Sequence, residues 1–256
     1  MFVAIDDASK ATLGAFPVDR TVYARAIREA RGLGAKGVAL KFFLDRPARA
    51  AADRDLAAAE RELPVLMQVD SAPPGTSGML SPKLARDDWD LRGTPDPLVL
   101  DGIAYPLAAF VAGAHALGVV QARVDEIGRK VEVAGSVDSV PVASLQLAVV
   151  ELALGEHAVV RGNRLHLGAS DFALDRHGKL PCDSMAGPAP RRYGIDALLA
   201  RAIPPEAIRG KVVVLGYARG DSPKLAVGGR EVPIHELFYR QVACLARRAL
   251  GEAGPP

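Results

Sequence analysis

The sequence predicts an α/β fold, a single domain over residues 1–256 with a mainly parallel central sheet, helices on both faces and short antiparallel hairpins. Three observations carry this expectation. The chain opens as strand, helix, strand, a βαβ unit whose crossover is right-handed almost without exception. Two segments, residues 38–43 and 212–215, are nearly all apolar, the pattern of strands buried on both faces of a parallel sheet. Finally, 49% of the 256 residues are hydrophobic and 24% charged, an ordinary globular balance. At roughly 150 residues per domain the length allows one or two. No repeat and no compositional break marks a linker, so one is expected.

Residues 1–5 read as a short buried strand ending at Asp6 and Asp7. Asp19-Arg20-Thr21 reads as a helix start, because Tyr23, Ile27, Ala30 and Leu33 follow at helical spacing before Gly32 and Gly34 supply the stop. Residues 38–43 form the second strand, 48–63 an alanine-rich helix and 65–69 the third strand. Periodicity fades from Asp70 to Asp101, a loop long enough to be functional or mobile. Residues 107–117 resume as helix, stopped by Gly118. Residues 119–124 and 129–133 read as paired strands around Asp125-Glu126-Ile127-Gly128. Pro141 starts a helix running to Leu154. Hairpin turns follow at Gly162-Asn163 and at Asp175-Arg176-His177-Gly178. Residues 211–215 are the clearest buried strand, and Pro233 opens the terminal helix through Phe238, Val242, Leu245 and Ala249.

Composition excludes several classes. The 32 Lys and Arg against 30 Asp and Glu leave a net charge of +2, too near neutrality to signal nucleic acid or an anionic membrane. An aromatic content of 5% also disfavours a stacking platform for single strands. Residues 102–122 carry no formal charge and are long enough to span a bilayer. Pro106, three glycines, His115 and Gln121 make their transfer poor, so they read as a buried helix and the strand after it. The first residues lack the basic and apolar regions of a signal peptide. Cys182 and Cys244 are too few and too far apart for a zinc ribbon or a CxxC motif. Either they pair in an oxidising compartment or both are free thiols.

The candidate chemistry is sparse. Asp6 and Asp7 sit at the carboxyl end of the first strand, where open α/β sheets place ligands. They serve either a metal or phosphate-transfer site or, more plainly, turn capping with Ser9. The loop Gly216-Tyr217-Ala218-Arg219-Gly220-Asp221 follows a strand but lacks GxGxxG and the Walker ending. His115, His157, His166, His177 and His235 are scattered, with no HExxH and no i,i+4 pair. His235 falls at a helix start, where the dipole disfavours its protonation. No G-x-S-x-G elbow is present. One sheet edge can gather Asp6, Arg20 and Asp221, as a charge-assisted network that fixes loops or as a ligand contact.

The order of these segments resembles the type-two CHASE domain, a sensory module of bacterial receptors. The resemblance is carried by Val3-Ala4-Ile5-Asp6-Asp7-Ala8-Ser9 with Phe16-Pro17-Val18-Asp19-Arg20, and by Gly34-Ala35-Lys36-Gly37-Val38-Ala39-Leu40. Leu117-Gly118-Val119-Val120 with Asp125 and Gly128 continue it. Most specific are residues 203–216, Ile-Pro-Pro-Glu-Ala-Ile-Arg-Gly-Lys-Val-Val-Val-Leu-Gly, then Asp221 and Val232-Pro233-Ile234-His235. The chain departs from the family at Lys41, usually acidic, and at Gln121, usually asparagine.

The resemblance implies an extracytoplasmic, periplasmic ligand-binding domain that takes part in signal transduction without catalysis or cofactor. Its expected ligand-binding residues are Asp6, Asp7, Arg20, Asp221 and His235. Expected partners are a small molecule or a protein, including a second copy, with no nucleic acid and with the membrane reached only through flanking segments. Two alternatives stay open: a metal-dependent hydrolase or phosphotransferase using Asp6, Asp7 and Asp221, and a ligand-free interaction domain.

Overall fold

The computed structural model describes residues 1–14, 17–76, 79–94, 96–120, 128–186 and 191–251. β1 (Phe2–Ile5) leads through a short α1 (Ser9–Leu13) to α2 (Arg20–Gly32), β2 (Gly37–Leu40), α3 (Ala50–Ala59) and β3 (Val65–Ser71). After the long connection come β4 (Leu98–Leu100), β5 (Ile103–Ala104), α4 (Ala108–Gly113) and β6 (Ala116–Val119). Next are β7 (Lys130–Glu132), β8 (Ala134–Val137), β9 (Val140–Ala143) and α5 (Leu145–Leu154). Short strands follow: β10 (Ala158–Arg161), β11 (Arg164–Leu167), β12 (Ser170–Ala173) and β13 (Lys179–Pro181). The chain then returns to its opening strand through β14 (Arg192–Gly194), α6 (Ile195–Leu199), α7 (Pro205–Ile208) and β15 (Val212–Tyr217). A last hairpin, β16 (Lys224–Val227) and β17 (Arg230–Pro233), precedes α8 (Ile234–Ala249).

The central sheet has seven strands in the order β14-β1-β15-β2-β3, with β6 and β5 both on β3. Every pairing is parallel except β3 with β5. The fold is therefore the expected α/β domain, mainly parallel. Residues 3–5 and 212–215 lie in its sheet, whereas the strand expected over 38–43 ends at Leu40 and leaves Lys41, Phe42 and Phe43 beyond its end. Each face carries its own core. On one, α2, α3, α4 and α6 bury Tyr23, Ile27, Leu56, Phe110 and Leu198. On the other, α5 and α8 bury Leu147, Val150, Phe238 and Leu245. Local chemistry sets the helix ends. Asp19 accepts from the Thr21 N–H at the start of α2, and Ser144 from Leu147 N–H at the start of α5. Gly155, left-handed at φ 76°, closes α5.

The structure corrects several expectations. Residues 107–117 are not one helix: α4 stops at Gly113, and Leu117, Gly118 and Val119 pair with Met67, Gln68 and Val69 as strand. Periodicity does not separate such a short apolar run from a helix turn. Gly118 is no stop signal. A Cβ there would sit 2.4 Å from Leu145 Cα, so the glycine lets α5 lie against the sheet. Pro141 belongs to β9, an edge strand where a missing N–H is tolerated, and the helix begins only at Leu145. The β8–β9 turn uses Asp138 and Ser139 at φ 48° and 66°, the primed geometry that hairpin twist favours.

β7 pairs with β13; residues 121–127, which hold most of the partner strand expected for it together with Gln121 and Asp125, lie outside the described residues, as does Phe16. The Gly162-Asn163 hairpin forms as expected. The turn at 175–178 also forms, but β12 and β13 pair elsewhere. Among the described residues no helix is long and apolar enough to cross a membrane.

Cys182, just after β13, and Cys244, in α8, form a disulfide with Cα atoms 6.1 Å apart. It ties the β7–β13 pair to the helix covering the sheet. Replacing both cysteines by alanine should lower unfolding free energy by about 2–5 kcal/mol, read by urea denaturation; unchanged stability would contradict this role. Gly118→Ala should cost at least about 2 kcal/mol by the same measurement, because the new methyl meets backbone rather than a flexible side chain.

Candidate functional site

β15 and β2 are neighbours in the sheet, but the helices that follow them leave to opposite faces, α8 to one core and α3 to the other. Such a divergence opens a crevice beyond the strand carboxyl ends, the usual ligand position in open α/β sheets. A cavity of about 830 Å³ lies there. Lys41 and Phe42 reach it from the end of β2, Gln68 and Asp70 from β3, and Tyr217 from β15. The first turns of α2 and α8 contribute Arg20, Tyr23 and His235.

Lys41 is only 7% exposed, and its Nζ donates to Gln68 Oε1 at 3.0 Å. Burial lowers its pKa from the ordinary 10.5 to about 8, opposed by the negative charge of Asp70. The lysine is therefore cationic at neutral pH. His235 is buried as well, and its Nδ1 accepts from the Tyr217 N–H at 3.2 Å. Burial, and secondarily the Lys41 charge, lower its pKa to about 3, so the ring is neutral with its proton on Nε2. Gly216 makes this approach feasible, since a Cβ there would lie 2.9 Å from His235 Nδ1.

Aromatic rings wall the space. Phe42 lies 4.9 Å from Tyr23 and 4.5 Å from Tyr217, centroid to centroid, and the two phenols share a hydrogen bond of 2.8 Å. Burial pushes the Tyr23 phenol up to about 12, which keeps it neutral. Arg20 has its charge satisfied. It pairs with Asp53 at 2.5 Å, donates to the Arg46 carbonyl and lies over the Phe110 ring. It thereby fixes the 44–48 loop against α2 and α3.

The five residues singled out from the sequence fall into three settings. Arg20 and His235 line the cavity. Asp221 lines an adjoining space of about 580 Å³ that shares Tyr217, Ile234 and His235 with the first. Asp221 pairs with Arg219 at 2.9 Å; Asp7 lies 3.7 Å from the same guanidinium and accepts from the Gly220 N–H at 2.9 Å. Asp6 accepts from the N–H and hydroxyl of Ser9, at 3.1 and 3.0 Å, which closes the turn after β1. Asp6, Arg20 and Asp221 thus engage different partners. Among the described residues no group of three His, Cys, Asp or Glu side chains is placed to hold a metal ion.

Lys41, Gln68 and Tyr217 escaped the sequence reading as site residues. The signal was a charged residue inside residues 38–43 and an amide inside residues 65–69, both polar interruptions of strands that should be apolar on both faces.

The Lys41 environment predicts a pH dependence. Below pH 8 the lysine is protonated in both folded and unfolded chains, and its desolvation penalty is constant. From about 8 to 10.5 the unfolded chain holds the proton and the folded chain has released it, so stability rises with pH across that window. Lys41→Met should accordingly be more stable than the parent at pH 7, with the difference shrinking towards pH 10. Denaturation midpoints of the two proteins across this range test it; a difference that grows with pH would contradict the assignment.

No curated protein and no solved structure matches the chain. A family model of the CHASE2 domain matches residues 1–234, nearly the whole sequence. The central sheet and every residue lining the cavity except His235 fall within that match, and the chain belongs to the CHASE2 domain family, a family of extracellular sensory domains.

Proposed function

We propose that this chain is the non-catalytic ligand-sensing domain of a bacterial signalling receptor, that it works on the periplasmic side of the membrane, and that its ligand sits in the cavity at the β15–β2 divergence. The observation that carries this reading is the cavity itself. A space of about 830 Å³ is within the usual range for small-molecule sites, and it combines an aromatic wall with a few buried polar groups. The Cys182–Cys244 bond supports the compartment, because disulfides persist where the surroundings are oxidising.

Absence of turnover is supported by the state of the cavity groups. His235 has Nδ1 engaged by backbone and is too weak a base for proton abstraction near neutrality. The Tyr23 phenol is too weak an acid. Asp6 and Asp7, the carboxylates an enzyme reading would use, are committed to the Ser9 turn and to the Gly220 loop. Arg20, Asp7 and Asp221 then serve as loop-fixing groups around the ligand, and α8, whose first turn lines the cavity, carries occupancy away from it.

Two measurements test the proposal. The domain equilibrated with a low-molecular-weight cell extract should retain a compound that denaturation releases and mass spectrometry detects. Ala48→Trp, which fills the cavity rim, should retain none; equal retention by both proteins would refute this seat. In a phosphatase and esterase screen with Mg²⁺, Mn²⁺ and Zn²⁺, no turnover is expected, and metal-dependent turnover abolished by Asp6→Ala would replace the sensor with an enzyme.

A further inference from the structure

We infer that the ligand is a small organic carboxylate, seated with its anionic end on Lys41 and Gln68 and its apolar body against Phe42 and Tyr217. The inference rests on the sensory reading above and names the chemistry of the same seat.

Lys41 is the centre of the argument. An ammonium has three N–H donors, and among the described residues Gln68 Oε1 accepts one of them. No carboxylate of the described residues forms an ion pair with it; Asp70 acts on it only through its more distant charge. Only the carbonyl end of an amide accepts from an ammonium, so the Gln68 oxygen is fixed towards Lys41 and its NH₂ remains a donor. Two buried groups at one cavity wall thus offer donors, and one of them carries a positive charge met only by the face of the Phe238 ring, 5.6 Å away, and by no paired carboxylate of the described residues. Burying such a charge is costly unless a partner arrives. Arg20 shows the contrast, with Asp53 and the Arg46 carbonyl already in place.

The first turn of α8 adds to this polarity. It lines the cavity through Ile234 and His235, and Pro233 gives it no side-chain cap, so the positive end of a 16-residue helix adjoins the seat. His235, neutral with its proton on Nε2, is a further donor of the lining. The same wall limits the charge of the guest. A phosphate dianion is usually met by several cations or by a bidentate arginine, and here the guanidinium of Arg20 is occupied. Asp19, Asp45 and Asp70 also line the cavity and disfavour a second negative charge. A single carboxylate meets these limits. The ring cluster of Phe42, Tyr23 and Tyr217 supplies the apolar contact for the rest of the molecule.

Calorimetric titration with three matched series tests this: acetate, butyrate and benzoate; acetamide, butyramide and benzamide; ethylamine, butylamine and benzylamine. At least one carboxylate should bind the parent protein at least about tenfold more tightly than its amide and amine counterparts. Lys41→Met and Gln68→Met should each weaken that binding by about tenfold or more while circular dichroism and melting show a folded protein, so that either variant alone keeps the test decisive. Amides or amines binding as tightly as the acids would overturn the carboxylate assignment and leave the sensory cavity standing. Carboxylate binding that survives Lys41→Met undiminished would overturn it too. No binding by any series up to roughly 10 mM, above the millimolar end of the affinity scale, would also overturn it; the sensory reading would then be decided by extract retention.

Discussion

β15 enters the sheet between two strands from the opposite end of the chain. Val214 lies opposite Phe2 on one side and Ala39 on the other, and the Val214 N–H bonds to the Met1 carbonyl. Without this insertion β1 and β2 would have no common neighbour, and the crossover through α2 would join two separated strands. The inserted strand is apolar at Val212, Val213, Val214 and Leu215, all buried, because each of its faces meets a different core. The geometry that completes the sheet also makes the site. A central strand whose following helix leaves to one face, beside a strand whose helix leaves to the other, necessarily opens a gap at their carboxyl ends.

Within that gap, stability and recognition pull in opposite directions. Apolar side chains at 41 and 68 would continue both cores with little strain; a lysine and a glutamine there cost desolvation. One hydrogen bond between them recovers only part of it. His235 shows the same tension, its ring held neutral against β15 by a backbone N–H that the absent side chain of Gly216 allows it to reach. Polar groups placed where the fold would be better served without them are the physical mark of a site, since a well-consistent sequence departs from its own rules chiefly where function demands it.

Most of the architecture could be read from the sequence because it rests on patterns that act locally. Asp19 caps α2, and continuous apolar runs mark β2, β3 and β15. What could not be read depended on distant neighbours. Gly118 looked like a helix stop because its role, admitting Leu145 of α5, belongs to another element. Pro141 looked like a helix opener because nothing local announces an edge strand. The site was legible only in part for the same reason. Arg20 and His235 were found from their places at element ends, whereas Lys41 and Gln68 acquire meaning only when β2 and β3 lie side by side.

The position of α8 connects the cavity with the rest of the domain. Its first turn lines the cavity through His235, its apolar face packs through Phe238, Val242 and Leu245 on the sheet and on α5, and Cys244 bonds it to the segment after β13. Gln241 and Gln146 add a buried hydrogen bond of 2.9 Å between the two helices. A helix held at so many points moves as a body rather than bending, because packed interiors yield by discrete rearrangement. At its amino end the Tyr217 N–H, His235 and the Lys41 charge meet. An anion arriving at Lys41 would change the electrostatic field at that end first, and the rigidity of α8 would convey the change along its length.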